Sequence, residues 1–430
     1  MRTRPAGLTL ARPQLAPEPP GVPARRAALR LLDAVLRRGI ALEAALDRAT
    51  SDLDRREDRG LVHAIVSEAL RRLPDLDALI DSATARPLPE DAKARFALRI
   101  ALVQVLSLGT PPHAAISTVL PLVDGGPRKL VHGVFGTLMR KGATLPELPT
   151  LPALFHLRWE AAWGEDVVEG ARAAIATPPP IDLSLRGDTT AAEGVELLPR
   201  HRRLPGSVPV PEIPGFAEGE WWVQDLAASL PARLLGDGPG TVIDLCAAPG
   251  GKTLQLAAAG WDVTALDVSE KRLARVSENL ERTGLSARIV TADALRWKPE
   301  APVDALLIDA PCSATGIFRR HPDVLHRVRP SVIAEAAEVQ AQLLARTADW
   351  VKPGGRLVYA TCSLEREEGE AQVERFLAEH PDYRLVPASA EVLPAGIEPH
   401  PRGWIRTLPG MLADQGGLDG FFIARMDRIG

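Results

Sequence analysis

The most constraining feature of this chain is the alternation of short apolar runs with longer amphipathic runs from Gly240 to the C-terminus. The short runs predict strands, and in order they are TVIDL, WDVTALD, ARIVTAD, VDALLIDA, GRLVYATCS and DGFFIARM. Between them lie runs such as SEKRLARVSENLERTG and PSVIAEAAEVQAQLLARTADWV, which repeat apolar residues at helical spacing. Strands that alternate with helices predict a parallel, doubly wound α/β sheet.

The rest of the 430-residue chain divides into three parts. Residues 24–143 repeat apolar side chains three and four positions apart, as in ARRAALRLLDAVLRRG, and predict an all-α domain of five or six helices. Residues 144–220 are mixed and rich in proline and predict a small α+β connector, after which the α/β domain occupies residues 221–430. Residues 1–23 are also rich in proline and predict a disordered leader.

Charge and cysteine content narrow the possible functions. The net charge of −4 argues against bulk electrostatic binding of nucleic acid, but residues 1–150 hold 22 Lys and Arg against 16 Asp and Glu and could still contact phosphates. Three cysteines without a close pair predict free thiols and no metal site. No run is long enough to span a membrane and the first residues lack the apolar core of a secretory signal, so we expect a cytoplasmic protein.

The loop CAAPGGKT follows the first strand of the α/β domain and opens a helix. Ligands of doubly wound sheets bind beyond the carboxyl ends of the strands, where Gly250 and Gly251 let the backbone come close. Asp267 ends the second strand, where a carboxylate suits a ribose diol, and Asp293 ends the third, where it could accept a hydrogen bond from adenine. These features fit S-adenosylmethionine as well as a dinucleotide, but the loop lacks the G-x-G-x-x-G and phosphate-loop spacings. An ordinary strand-to-helix turn could also contain GGKT.

Two cysteines follow two further strands. Asp309 lies at the end of VDALLIDA, Cys312 follows that run by two residues, and Cys362 is the last residue but one of GRLVYATCS. Because the carboxyl ends of neighbouring parallel strands lie side by side, we expect these three side chains to share one pocket beside the cofactor. Such a pocket suits methyl transfer to C5 of cytosine. A thiolate can add to C6, Asp309 can hydrogen-bond to ring N3, and a second thiol can assist the elimination that releases the base from the enzyme. A single cysteine is otherwise a small buried apolar residue, which is the role we expect for Cys246.

The α/β part resembles the RsmB/Sun family of RNA cytosine-5 methyltransferases in the segments CAAPGGKT, LDVSEKRLARVSENLERTG, LIDAPCSATGIFRRHPDVLHR, GGRLVYATCS and GLDGFFIAR. The N-terminal part resembles the NusB-like RNA-binding domain of bacterial small-subunit rRNA members in RRAALRLLDAVLRRG, PPHAAISTVLPLV and KLVHGVFGTLMRKG. The resemblance implies an all-α RNA-binding domain followed by a Rossmann-like class I S-adenosylmethionine-dependent methyltransferase domain.

The resemblance also implies roles for individual residues. Cys362, in the TCS motif, is the nucleophile, and Cys312, in the PCS motif, assists product release, an assignment that strand positions alone leave open. The implied contacts of S-adenosylmethionine are Cys246, Ala247, Ala248, Pro249, Gly250, Gly251, Lys252, Asp267, Arg272, Asp293 and Asp309.

RNA, and within RNA the small-subunit (16S) rRNA, is the expected partner, and the resemblance implies a monomer that binds no membrane. Arg319, Arg320 and His321 lie in the segment RRHPD after the active-site strand, where they could meet RNA phosphates, although an ordinary surface loop could have the same sequence. Alternative functions are a tRNA cytosine-5 methyltransferase and a non-catalytic RNA-binding assembly factor. A nicotinamide-dependent dehydrogenase is disfavoured by the loop spacing and leaves both thiols without a role.

Overall fold

The computed structural model describes residues 19–206 and 208–429, and the chain divides into two compact units between Leu145 and Pro146. Residues 1–18, which make up most of the predicted leader, lie outside the described residues. Within the described ranges, no helix is both long enough and apolar enough to cross a membrane.

The described part of the N-terminal unit is helical. Its helices are α1 (Val22–Leu36), α2 (Leu42–Ala49), α3 (Arg56–Arg71), α4 (Leu73–Ser82), α5 (Lys93–Leu106), α6 (Pro112–Val119) and α7 (Gly125–Arg140). The sequence predicts five or six helices, and the described residues contain these seven. Helix α1 begins two residues before the predicted boundary at Ala24 and has a proline in its first turn, where the missing N–H has no helical partner.

Helix α5 is the centre of this unit. Its residues from Ala94 to Gln104 are buried all round, and α1, α3, α4, α6 and α7 pack against it, as a helix without a polar face requires. Two arginines on α5 are buried as well, and each is paired. Arg99 donates to both oxygens of Asp77 at 2.8 Å, and Arg95 donates to Asp81 at 2.5 Å, so the buried charges are compensated.

The C-terminal unit begins with two helices and a small antiparallel sheet. These elements are α8 (Ala153–Trp163), α9 (Glu165–Ala176), β1 (Asp182–Leu185), β2 (Val195–Leu198), β3 (His201–Arg203) and β4 (Trp221–Val223), and the strand order is β2-β3-β1-β4. Residues 144–220, for which the sequence predicts an α+β connector, thus contain both helices and strands, and from Pro146 onwards they share one compact unit with the larger sheet.

The remaining strands of this unit form a second, larger sheet. Its strands are β5 (Thr241–Leu245), β6 (Asp262–Asp267), β7 (Arg288–Thr291), β8 (Val303–Asp309), β9 (Val351–Thr361), β10 (Tyr383–Leu385), β11 (Ile405–Thr407) and β12 (Phe421–Arg428). The helices are α10 (Leu226–Arg233), α11 (Gly251–Ala258), α12 (Glu270–Thr283), α13 (Val324–Arg327), α14 (Pro330–Thr347) and α15 (Glu370–Glu379). Apolar side chains alternate between the two faces of β5: Val242 joins a core that includes residues of α10 and α11, and Ile243 joins a core that includes residues of α14 and α15.

Strand order and direction define where a ligand can bind. The order is β10-β12-β9-β8-β5-β6-β7, with β11 also paired to β12. Strands β5 to β9 pair in parallel, as predicted, but β10, β11 and β12 pair antiparallel, so the sheet is mixed and the prediction of a wholly parallel sheet is wrong at this edge. The chain reverses its direction of progress between β5 and β8, and the crevice beyond their carboxyl ends is the binding place in such sheets.

A buried ion cluster, consisting of Asp225, Arg319, Arg320 and Asp419, connects segments of this unit that are far apart in the sequence. Arg319 donates to Asp225 and to Asp419 at 2.6 Å each, and Arg320 donates to Asp225 at 2.6 Å. Asp225 also caps α10 and accepts the backbone N–H of Asp419. The cluster therefore joins the start of α10, the loop after β8 and the segment before β12.

The cluster contradicts a prediction from the sequence. Arg319 and Arg320 are predicted to bind RNA, but the Arg319 side chain is only 4% exposed and both guanidinium groups are paired with carboxylates. Burial alone would raise the pKa of Asp225, but Arg320 and Arg319 hold it well below its usual value. His321, the third predicted residue, is partly exposed and its contact with RNA stays a prediction.

We expect Arg319→Ala to lower the free energy of unfolding by about 3–5 kcal/mol, because it leaves two buried carboxylates short of a partner. Urea unfolding followed by tryptophan fluorescence measures this, since all eight tryptophans lie in the C-terminal unit. Arg375→Ala is the matched control, because Arg375 pairs with Glu379 at an exposed site. Unchanged stability of Arg319→Ala together with weaker RNA binding would contradict this account.

Candidate active site

The two strand-end thiols lie side by side. Strands β8 and β9 are parallel neighbours, with Asp309 opposite Ala360, so the residues that follow them occupy the same edge of the sheet. There Cys312 Sγ lies 3.4 Å from Cys362 Sγ, within hydrogen-bonding distance for sulfur. The structure thus brings together the two cysteines that the sequence singles out.

The surroundings of Cys312 favour its protonated form. The pKa of Cys312 is raised well above its usual value by its hydrogen bond to Cys362, by burial, and by the charges of Cys362 and Glu368. Cys312 can therefore donate in this contact, in which the geometry allows either sulfur to be the donor. A thiol that holds its proton suits a pair in which its neighbour acts as the nucleophile.

The backbone that carries Cys362 is held firmly. The carbonyl of Cys362 accepts the N–H of Gly316 at 3.0 Å, and Trp163 donates to the carbonyl of Leu364 at 3.0 Å. A Cβ atom on Gly316 would lie 1.9 Å from the carbonyl oxygen of Gly420, so only glycine allows this close approach. These contacts fix the nucleophile candidate from three different segments.

Lys252 and Asp309 form an ion pair in the same pocket. Lys252 Nζ lies 2.7 Å from Asp309 Oδ2, and the Lys252 side chain is almost buried. Burial would lower the pKa of Lys252, but the Asp309 carboxylate raises it above its usual value. In this pair Lys252 donates to Asp309, so Lys252 is a candidate donor in addition to Asp309, for which the sequence predicts the contact with cytosine N3.

The cofactor loop is organised by Asp267. This carboxylate is buried and accepts the backbone N–H groups of Ala248, at 3.2 Å, and Ser269, at 2.9 Å. Arg272 pairs with Asp267 at 3.5 Å and donates to the carbonyl of Ala248, so Arg272 supports the loop from outside. Oδ1 accepts the N–H of Ser269, and its second lone pair is an acceptor for a ribose hydroxyl.

Glycine shapes the other half of the loop. Gly250 has φ 108° at the start of α11, and a Cβ atom there would lie 3.1 Å from Val276. Three further residues of this loop, Ala247, Pro249 and Gly251, are predicted cofactor contacts. The backbone N–H of Ala247 donates to the carbonyl of Leu266. Asp293, after β7, is half-exposed and accepts the N–H of Leu295.

Cys246 differs from the other two cysteines. Burial and the nearby carboxylates of Asp309 and Asp267 raise the pKa of its thiol to about 12. A thiol with such a pKa is a poor nucleophile at neutral pH, which supports the expected packing role.

Asp244 is a candidate functional residue that motif reasoning misses. It lies in β5, is fully buried, and accepts a hydrogen bond from Thr253 Oγ1 at 2.5 Å, while its Oδ1 has no partner among the described residues. Burial raises the pKa of Asp244 to about 7. An acidic residue inside an otherwise apolar strand, TVIDL, is the signal that could have revealed it.

The charges around the loop discriminate between cofactors. Two carboxylates, Asp267 and Asp309, pair with two cations, Arg272 and Lys252, and the buried Asp244, with its pKa of about 7, adds negative charge only above neutral pH. A pyrophosphate would find both of these cations already paired, whereas a ligand with sulfonium and ammonium groups can be attracted by the carboxylates. The site therefore favours S-adenosylmethionine over a dinucleotide.

We expect Asp244→Asn to change how stability depends on pH. From about pH 4 to pH 7 Asp244 ionises in the unfolded chain but stays protonated in the folded protein, so this residue makes the wild type less stable as pH rises. The unfolding free energy of Asp244→Asn relative to wild type should therefore rise by up to about 4 kcal/mol over this interval. Urea unfolding of the cofactor-free protein at several pH values measures the difference, and a difference independent of pH would contradict this assignment.

Comparison with known proteins places the chain in a family. Residues 235–427 match the model of the family described as 16S rRNA methyltransferase RsmB/F, and residues 22–137 match the NusB family. The ribosomal RNA small subunit methyltransferase B of Xylella fastidiosa is 38% identical over 94% of this chain and 98% of that protein. The protein of the same name from Pseudomonas syringae is 36% identical over 94% of this chain and 97% of that protein.

The crystal structure of PH0851 shares the fold, with a TM-score of 0.73 and 23% identity over 96% of this chain and 100% of that chain. By this similarity over nearly its whole length, the chain belongs to the RsmB family of 16S rRNA methyltransferases, as the motifs predict.

Proposed function

We propose that this protein methylates C5 of a cytosine in small-subunit rRNA, through a covalent bond between Cys362 and C6 of the base. The observation that carries the proposal is the thiol pair, Cys312 and Cys362 at 3.4 Å, in one pocket with the Lys252–Asp309 ion pair. Family membership supports rRNA as the substrate.

The cofactor loop fits S-adenosylmethionine as the methyl donor. Asp267 offers an acceptor for a ribose hydroxyl. Gly250 and Gly251 carry no side chain that would keep the ligand from the backbone at the start of α11. S-Adenosylmethionine supplies the electrophilic methyl group that C5 attacks.

The first step forms a bond between Cys362 Sγ and C6. As the thiolate attacks, the electrons of the C5–C6 double bond move towards C4 and N3, which makes C5 nucleophilic. Negative charge collects on N3, so a donor placed there lowers the energy of the transition state. The Lys252 ammonium group is that donor, and Asp309 holds it in position.

The last step breaks the bond to the enzyme. After methyl transfer, C5 carries both the methyl group and its original hydrogen. A base removes that proton, the C5–C6 double bond forms again, and the C6–Sγ bond breaks with its electrons remaining on Cys362. The protonated Cys312 donates a hydrogen bond to the departing thiolate, which makes it a better leaving group.

The target base must leave its stack to reach Cys362 and the methyl group together. We assign the surrounding RNA contacts to the NusB-family segment, residues 22–137, and to residues 144–220. His321 is retained as an RNA contact, whereas Arg319 and Arg320 are not.

We expect Cys362→Ala to reduce methylation by at least about 10³-fold, because no covalent activation of C5 remains. We expect Cys312→Ala to form the bond to RNA but to release it slowly, which leaves a slowly migrating protein–RNA band on a denaturing gel. The double variant is the control and should form no such band. A band from Cys362→Ala, and none from Cys312→Ala, would reverse the assignment of the two thiols.

Transfer of labelled methyl from S-adenosylmethionine to unmodified small-subunit rRNA tests the proposed substrate, with tRNA and DNA in parallel. We expect label on a single rRNA cytosine and none with Cys362→Ala. Label on tRNA alone would keep the mechanism and overturn the partner. Absence of label from all three, with cofactor binding intact, would favour a ribosomal particle as the substrate or the RNA-binding assembly factor.

A further inference from the structure

Glu368 is a buried acidic residue that the mechanism above leaves without a role. It lies in the turn between β9 and α15, and its side chain is inaccessible to solvent. Its Oε2 accepts the backbone N–H of Ser313 at 2.9 Å and the amide of Gln340 at 3.1 Å. Ser313 directly follows Cys312, so the carboxyl group holds the loop that carries the first thiol.

The main chain of Glu368 holds the strand that carries the second thiol. Its carbonyl oxygen accepts the Tyr359 hydroxyl at 2.8 Å and the Thr361 hydroxyl at 3.2 Å. Thr361 directly precedes Cys362. One residue therefore bonds to a sequence neighbour of each cysteine, which fixes the two loops relative to each other.

We propose that Glu368 is a positioning residue that sets the spacing of the two thiols and keeps Cys312 as the member that bears the proton. The inference rests on the proposed covalent mechanism for its consequence in catalysis. Its structural basis, the bonds from one buried residue to both loops, does not depend on that mechanism.

The surroundings of Glu368 give its charge an effect on Cys312. Burial raises the pKa of Glu368 itself, and the Glu368 charge is one cause of the raised pKa of Cys312. Gln340, on α14, also donates to the carbonyl of Pro311, so the amide joins Glu368 to the residue before Cys312. The charge of Glu365 acts on Glu368, that of Cys362 acts on Cys312, and those of Cys312 and Arg406 act on Tyr359.

Two buried oxygens strengthen this interpretation. Glu368 Oε1 and Gln340 Oε1 have no hydrogen-bond partner among the described residues. Both are acceptors, so the charge of Glu368 is met by hydrogen bonds only at Oε2, from Ser313 and Gln340.

The first test uses the protein without RNA. Site-resolved mass spectrometry after iodoacetamide treatment at a series of pH values gives the apparent pKa of Cys312. Glu368→Gln keeps an oxygen for Ser313 and Gln340 but removes the charge, so we expect the Cys312 profile to shift to lower pH by about one unit. Glu367→Gln, one residue away with a half-exposed side chain, is the control and should leave the profile unchanged.

The second test measures release of the RNA. Glu368→Ala removes the bond to Ser313, so we expect a slowly migrating protein–RNA band like that of Cys312→Ala and a fall in kcat of about tenfold, with KM for RNA and for S-adenosylmethionine within about twofold of wild type. Glu368→Gln keeps the bond and should release RNA faster than Glu368→Ala. A structural role alone would not separate kcat from KM or shift the Cys312 profile.

The outcomes separate this inference from the proposed function. A wild-type Cys312 profile in Glu368→Gln, with no RNA band in Glu368→Ala, would overturn the inference. If Glu368→Ala does not fold, the alkylation profile of Glu368→Gln decides alone. Absence of a band from Cys312→Ala with any RNA would overturn the covalent mechanism, whereas the alkylation result would still decide whether Glu368 controls Cys312.

Discussion

The register between β8 and β9 is the constraint on which the candidate site depends. Because these strands are parallel neighbours, the chain must leave both of them at the same edge of the sheet, and two cysteines 50 residues apart come within 3.4 Å. A shift of the register by one residue would turn the strand-end side chains to the opposite face of the sheet. The close approach of Gly316 to Gly420 and the bonds of Glu368 to both loops preserve that register where the regular pairing ends.

Charge then gives each part of the pocket a distinct task. The cations near the cofactor loop are already paired with carboxylates, which favours a cationic ligand over a pyrophosphate. The Lys252–Asp309 pair presents a donor where charge develops on the base, and the raised pKa of Cys312 keeps a proton available beside Cys362. These groups are held in a largely buried setting, where electrostatic interactions are stronger than in water. The arrangement therefore explains how one pocket can serve first addition and then elimination at the same carbon.

Patterns along the chain reveal the parts of this protein that depend on local sequence. Short apolar runs predict the parallel strands, and the strand-end positions predict that Cys312 and Cys362 meet. The direction of β12 is not predictable in this way, because GLDGFFIAR has the same apolar character in either direction and its pairing with β9 depends on the path of the chain. The family resemblance, not the residue pattern, assigns the two thiols different roles.

The burial of charged residues is also not predictable from the local sequence. RRHPD has the composition of an exposed basic loop, but the carboxylates that bury Arg319 come from Asp225 and Asp419, 94 and 100 residues away. Glu368 lies in the acidic run EREEGE, which is typical of a solvated surface, although its side chain is fully buried. Whether such a group is a surface charge or part of the core depends on partners that no local pattern contains.

The most direct measurement is the identity of the residue that bonds to the base in the wild-type protein. RNA that contains 5-fluorocytidine retains the adduct, because the C5 fluorine cannot leave as a proton in the elimination. After trypsin digestion, mass spectrometry should find the methylated nucleotide on the peptide of residues 357–366, which contains Cys362. A nucleotide on the peptide of residues 297–319, which contains Cys312, would contradict the account.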